Sequence, residues 1–159
     1  MDAETLILET FVDETFFTAP CVPDARLYLD LPYIEEEEST SVYAEAFSNF
    51  LKLTPDDLRK VTPYAFAMFK QFETAVDPSC LNVTVEEEEG GWSEVSVEGV
   101  NLIRNKSYED TVYVQLSVEC TWDPEHGMQF IYRNGNVLSR VSANDGEYFL
   151  VDLPALPTK

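Results

Sequence analysis

The sequence predicts an α+β fold: a mainly antiparallel β-sheet with an N-terminal hairpin, a central block of two or three helices packed on one face, and C-terminal strands ending in a hairpin. Three observations carry this expectation. Val112, Val114, Leu116, Val118, Cys120 and Trp122 form a long apolar series of period two. Between residues 42 and 76 the apolar spacing changes to that of helices. Strand-like runs lie on both sides of this block, without the strand and helix alternation that builds a parallel sheet.

Thr5–Val12 and Arg26–Leu31 are strand-like and make up the N-terminal hairpin (residues 1–32), with Pro20 and Pro23 marking its connection. Leu27, Leu29 and Leu31 alternate against Tyr28 and Asp30. Pro32 ends that strand, and Glu35, Glu36, Glu37 and Glu38, followed by Ser39, Thr40 and Ser41, read as a solvated loop. Val42–Leu53 reads as a helix, since Val42, Ala46, Phe50 and Leu53 recur at four, four and three. Thr54 offers a side-chain cap, Pro55 suits the first helical position, and Asp56 and Asp57 sit at the positive end of the dipole, so a short helix runs to Lys60. Thr62 and Pro63 repeat the start signal for a longer helix to Val76. Its apolar set, Val61, Tyr64, Ala65, Met68, Phe69, Phe72 and Val76, has the width needed to cover a sheet; an aromatic ligand groove is the alternative.

The C-terminal sheet is expected over residues 81–141. Leu81, Val83 and Val85 alternate with polar residues, and Gly90-Gly91 closes a turn into a strand from Trp92 to Val100. Gly99 marks a bulge, because the apolar phase moves to Val100 and Leu102 after it. The series from Val112 turns Tyr113, Gln115, Ser117, Glu119 and Thr121 to the other face, which places this strand in the centre of the sheet. Met128–Tyr132, a type I′ turn at Asn134-Gly135, and Val137–Val141 make the last hairpin. Residues 153–159, with Pro154 and Pro157, read as an extended surface tail.

With 159 residues and 45% hydrophobic content the chain fits one domain over residues 1–159. Thirty acidic against ten basic residues give a formal charge of -20, which disfavours nucleic acid and anionic membranes and favours a basic protein partner. Solubility or a salt-adapted host explains the same charge. Cys21, Cys80 and Cys120 are an odd set without metal-finger spacing, so reduced thiols are expected and neither a metal nor a cofactor is implied. The N-terminus carries acids where a secretory signal carries bases, and no run approaches a membrane span, so the expected location is cytoplasmic.

The segment CTWDPEHGMQFIY, Cys120–Tyr132, concentrates the chemistry: Trp122, Asp123, Glu125, His126 and Gly127 form the candidate functional corner. Imidazole beside carboxylate can exchange protons near neutral pH, and Glu119 lies close in sequence. The competing reading is a structural corner, in which Asp123-Pro124 starts the turn, Gly127 supplies an unusual backbone angle and Trp122 anchors it in the core. No second histidine exists to complete a zinc site, Cys120 falls on the apolar face of its strand, and no Gly-x-Ser-x-Gly, Walker or Gly-x-Gly-x-x-Gly pattern occurs. Of the two acidic runs, Glu86, Glu87, Glu88 and Glu89 adjoin the Gly90-Gly91 turn, project from the sheet, and are the candidate partner-binding set.

The order strand, WDPEHG, strand, RNGN, strand resembles the C-terminal signature of a bacterial family of small uncharacterised proteins. Trp122, Asp123, Glu125, His126, Gly127 and Gly135 occupy the matching positions, with Pro124 at the variable one. The resemblance implies a non-enzymatic accessory protein, and some members of such families are thought to sit near toxin and immunity genes. The function expected from the sequence is therefore an acidic binding protein, of immunity or inhibitor type, that occludes a basic partner such as a toxin. A small enzyme or ligand-binding domain at the Trp122–Gly127 corner and a structural accessory domain are the alternatives.

Overall fold

The computed structural model describes residues 2–11, 13–31, 40–77, 79, 86–107 and 110–153. Helix α1 (Ala3–Thr10) opens the chain, followed by strands β1 (Thr15–Ala19) and β2 (Val22–Asp30). Helices α2 (Ser41–Leu51), α3 (Pro55–Arg59) and α4 (Thr62–Ala75) come next. A 3-10 helix (Glu88–Glu94) then leads into β3 (Val95–Asn105), β4 (Thr111–Cys120), β5 (Met128–Arg133) and β6 (Val137–Ala143). The six strands form one sheet in the order β1-β2-β3-β4-β5-β6. Every neighbouring pair is antiparallel except β2 and β3, which run parallel because the helical block carries the chain back across the sheet. This is the α+β architecture that the periodicity predicts.

One expectation at the N-terminus is overturned. Residues within Thr5–Val12 form helix α1, not a strand, and the first strand of the hairpin is Thr15–Ala19. The Asp2 carboxylate accepts a hydrogen bond from the Thr5 N–H at 2.9 Å and caps the helix, while Ala3, Leu6 and Ile7 turn one face inward. Leu6-Ile7-Leu8 suits either period, and packing of α1 on α2 decides between them. Pro20 and Cys21 form the hairpin turn, and Pro23 lies inside β2, where the β1 to β2 register shifts and the missing N–H breaks no regular pairing.

The start of α3 after Thr54 is as expected, whereas α4 includes Thr62 as its first residue, with Val61 at the cap position and no side-chain cap. Thr54 and Asp57 form a reciprocal capping box on α3. The wide face of α4 is only partly immersed: Phe69 is buried, while Tyr64, Ala65, Phe66, Met68 and Phe72 are half-buried against the core. The Gly90-Gly91 hairpin turn is a second correction. Both glycines fall within the 3-10 helix, and β3 begins at Val95 instead of Trp92. Trp92 is held back on α4, donating from its indole N–H to the Thr62 hydroxyl at 2.8 Å. Leu81–Val85 and Glu35–Glu38 lie outside the described residues, as does the tail after Leu153.

The bulge at Gly99 is present as a register shift between Val97 and Gly99, after which Val100 and Leu102 are fully buried. One face of the sheet, through Phe17, Leu29, Val100, Leu116 and Phe130, packs on the helices; Phe17 meets Phe47 of α2 edge-on at 5.2 Å between ring centroids. On the opposite face a seam of amides crosses β3 to β6. The Gln115 side-chain amide donates to Gln129 Oε1 at 2.9 Å, and Gln129 Nε2 donates to Ser142, Asp145 and the Glu147 carbonyl. The Arg140 guanidinium forks onto Asp145 at 2.7 and 2.9 Å. These bonds hold residues 144–152 as a strap over the C-terminal half of that face, where Phe149 lies 5.0 Å from Tyr113 and the Asp152 backbone pairs with β6. Buried amides without such partners would each cost about 1–3 kcal/mol.

Candidate functional site

Within the Trp122–Gly127 corner, Trp122 is buried and sits edge-on to Phe69 of α4, 5.1 Å between centroids. The chain then turns tightly: the Gly127 N–H donates to the Asp123 carbonyl at 2.9 Å, and Gly127 has φ 69°, which only glycine tolerates readily. A Cβ at Gly127 would lie 2.6 Å from the Val118 carbonyl oxygen, inside contact distance. Asp123 and His126 come together, with His126 Nδ1 3.0 Å from Asp123 Oδ1, whereas Glu125 points to solvent without joining them. Among the described residues no group of three or more His, Cys, Asp and Glu is placed to hold a metal ion. Burial pushes the Cys120 thiol up to about 11, which keeps it protonated and unreactive at neutral pH.

The hydrogen bond to Asp123, with the Asp123 and Glu125 charges, raises the His126 pKa above its ordinary 6.5. By linkage, a raised histidine pKa adds stability that is fully present below the unfolded value and is lost as pH rises through the folded one. An NMR titration of the imidazole should therefore place its midpoint above 6.5 in the wild type and lower in Asp123→Asn. Equal midpoints would show that the pair does not persist in solution.

Glu86 and Glu87 are exposed and precede the 3-10 helix, which Glu88 and Glu89 begin. The four therefore lead into a 3-10 helix and do not adjoin a Gly90-Gly91 turn as expected. No membrane-crossing helix of sufficient length and apolarity occurs among the described residues.

A different feature stands out on the sheet face that the strap covers only in part. At β1 and β2 this face exposes an aromatic pair, Phe16 and Tyr28, 5.4 Å apart and 41% and 37% exposed. The Arg26 guanidinium lies 4.2 Å over the Phe16 ring. Asp30, Glu98 and Glu119 share the face, and Glu9, Asp13 and Glu14 line the hollow on the other side of Phe16 and Arg26. Among the described residues no lysine or arginine bridges Asp30, Glu98 or Glu119. Sequence reasoning saw Tyr28 and Asp30 on the polar side of their strand but had no reason to value them. The available signal was Phe16-Phe17, an aromatic doublet in a strand, which must turn one ring away from the core.

The comparison with protein families decides the kinship: a family model described as a domain of unknown function, DUF6985, matches residues 19–149. The chain belongs to the DUF6985 family. No curated protein and no solved structure matches it. The DUF6985 region takes in Arg26, Tyr28, the corner and most of the strap, while Phe16 and α1 precede it.

Proposed function

We propose that this DUF6985 protein acts by binding a basic protein partner, and that the open half of its sheet is the docking face. The observation that carries the reading is the exposed Phe16–Tyr28 pair beside Arg26, framed by Asp30, Glu98 and Glu119, which no lysine or arginine bridges among the described residues. Aromatic and arginine side chains dominate binding energy at interfaces. The surrounding acids, within a chain of formal charge -20, supply attraction and selection for a basic surface, since complementary charge mainly raises the association rate and excludes wrong partners. The strands hold both rings in fixed positions, so little ordering is lost on contact. An immunity or inhibitor protein of bacterial origin, covering the working surface of a basic toxin, is the form of this activity that the reading favours.

Two immobilised baits test it in host extract at about 0.15 M salt, where charge acts over roughly 8 Å. One is the wild type; the other carries Phe16→Ser and Tyr28→Ser, with its fold verified by circular dichroism. A discrete basic protein held by the first and lost from the second is the expected result. Equal retention by both baits would place the interface elsewhere, and a wild-type bait that holds no basic protein would end the reading.

A further inference from the structure

We infer that the groove beside Gly99 is a seat for an arginine side chain of the partner, an inference that rests on the docking reading above. Gly99 pairs with Tyr28 across the parallel β2 to β3 ladder. A Cβ at that position would lie 3.1 Å from the Tyr28 carbonyl oxygen and 3.7 Å from Tyr28 Cβ, so the glycine lets the two strands approach closely and sets no side chain next to Tyr28. The groove there, of about 370 Å³, has walls that include Arg26, Tyr28, Asp30, Glu98, Asn101 and Ser117. That volume lies in the range of roughly 300–1,000 Å³ typical of sites for small groups.

The polar lining is made for a donor. Asp30 and Glu98 bring carboxylates, which only accept hydrogen bonds when ionised. The Asn101 amide donates to Gln115 and Ser117, which commits its NH2 end to the seam and leaves Oδ1 as an acceptor. Tyr28 adds an aromatic ring at the edge of these acceptors. A planar guanidinium with five donors, weakly hydrated and able to stack on a ring, satisfies this combination better than an ammonium ion. The same face already demonstrates the geometry, since Arg26 lies on the Phe16 ring at one wall of the groove. Arg26 is thereby held at the Phe16 end of the groove, with the carboxylates left for the incoming charge.

The test uses the full chain, labelled with 15N, and three capped tripeptides, Gly-Arg-Gly, Gly-Lys-Gly and Gly-citrulline-Gly. The arginine peptide should shift the Tyr28, Gly99 and Asn101 amide signals saturably, the lysine peptide more weakly, and the uncharged citrulline peptide not at all. Asp30→Asn with Glu98→Gln should weaken arginine-peptide binding by about tenfold. Glu45→Gln with Asp56→Asn, both exposed on the helical block, removes equal charge elsewhere and should leave binding nearly unchanged. Shifts that map away from Gly99, or equal weakening by the two double variants, would overturn the arginine seat. The docking reading is judged separately by the two baits, with the Asp30/Glu98 variant immobilised as a third: a basic protein lost on changing Phe16 and Tyr28 but kept by the third bait would retain the face and reject the groove.

Discussion

Gly135→Ala is expected to be the most damaging single methyl group that can be added to this protein. Asn134 and Gly135 carry φ of 55° and 86°, the pair of positive values that a type I′ turn requires. The hairpin tip is also pressed onto α2, with the Asn49 side-chain amide donating to the Asn134 carbonyl at 2.9 Å. A Cβ on Gly135 would fall 1.9 Å from the Ala46 carbonyl oxygen and 3.1 Å from the Phe50 backbone nitrogen. These are backbone atoms, which cannot rotate aside, so α2 must lift from the sheet and loosen Phe47 and Phe50, both fully buried. A loss of about 4 kcal/mol or more is expected. Gly146→Ala is the control: its φ is 80°, but nothing lies within 4 Å of the added group, so only backbone strain of about 1–2 kcal/mol applies. Denaturant titrations of the two variants that gave equal losses would show that the hairpin does not rest on α2.

The second large effect is expected at Trp122. Its indole is 7% exposed and shares an apolar cluster with Phe69 and Phe130. Trp122→Ala should cost about 3–5 kcal/mol, through lost burial and the cavity left between β4 and α4. His126→Ala, four residues on but with a side chain 64% exposed, should leave the denaturant midpoint close to that of the wild type. The contrast separates the two roles of the corner, because a folding anchor and a solvent-facing tip lie within one turn. A Trp122→Ala protein as stable as His126→Ala would remove the corner from the structural account.

Much of the fold was legible because its signals are local. The alternation in β4 put Val112, Val114, Leu116, Val118 and Cys120 on the helix side, and all five are buried. Thr54 and Asp57 announced α3, and the phase change at Gly99 announced the bulge. Local signals also misled. Leu6-Ile7-Leu8 carries no period of its own, and the one sign of a helix there was Asp2 ahead of Ala3, a cap at the chain terminus. Gly90-Gly91 is compatible with a hairpin, yet Trp92, tied to Thr62 of α4, draws those residues into a 3-10 helix. The candidate site was the least legible part. Clustering of His126 with acids drew attention to residues close in sequence, whereas the exposed rings come from two strands and become neighbours only through their pairing.

The sequence by itself determined which side chains share a face, where helices α2 to α4 begin and which turn ends the last hairpin, because period, caps and glycine angles act within a few residues. Tertiary structure alone decided which face of the sheet is covered and how far. Tyr113 is shielded by Phe149, and Gln115 and Gln129 are satisfied by the strap, while Phe16 and Tyr28 receive no such cover among the described residues. Alternation assigns these side chains to the polar side of their strands without saying what lies above them. Burial there depends on contacts between distant segments, and residues 144–153, the described chain after β6, reach across only half of the sheet.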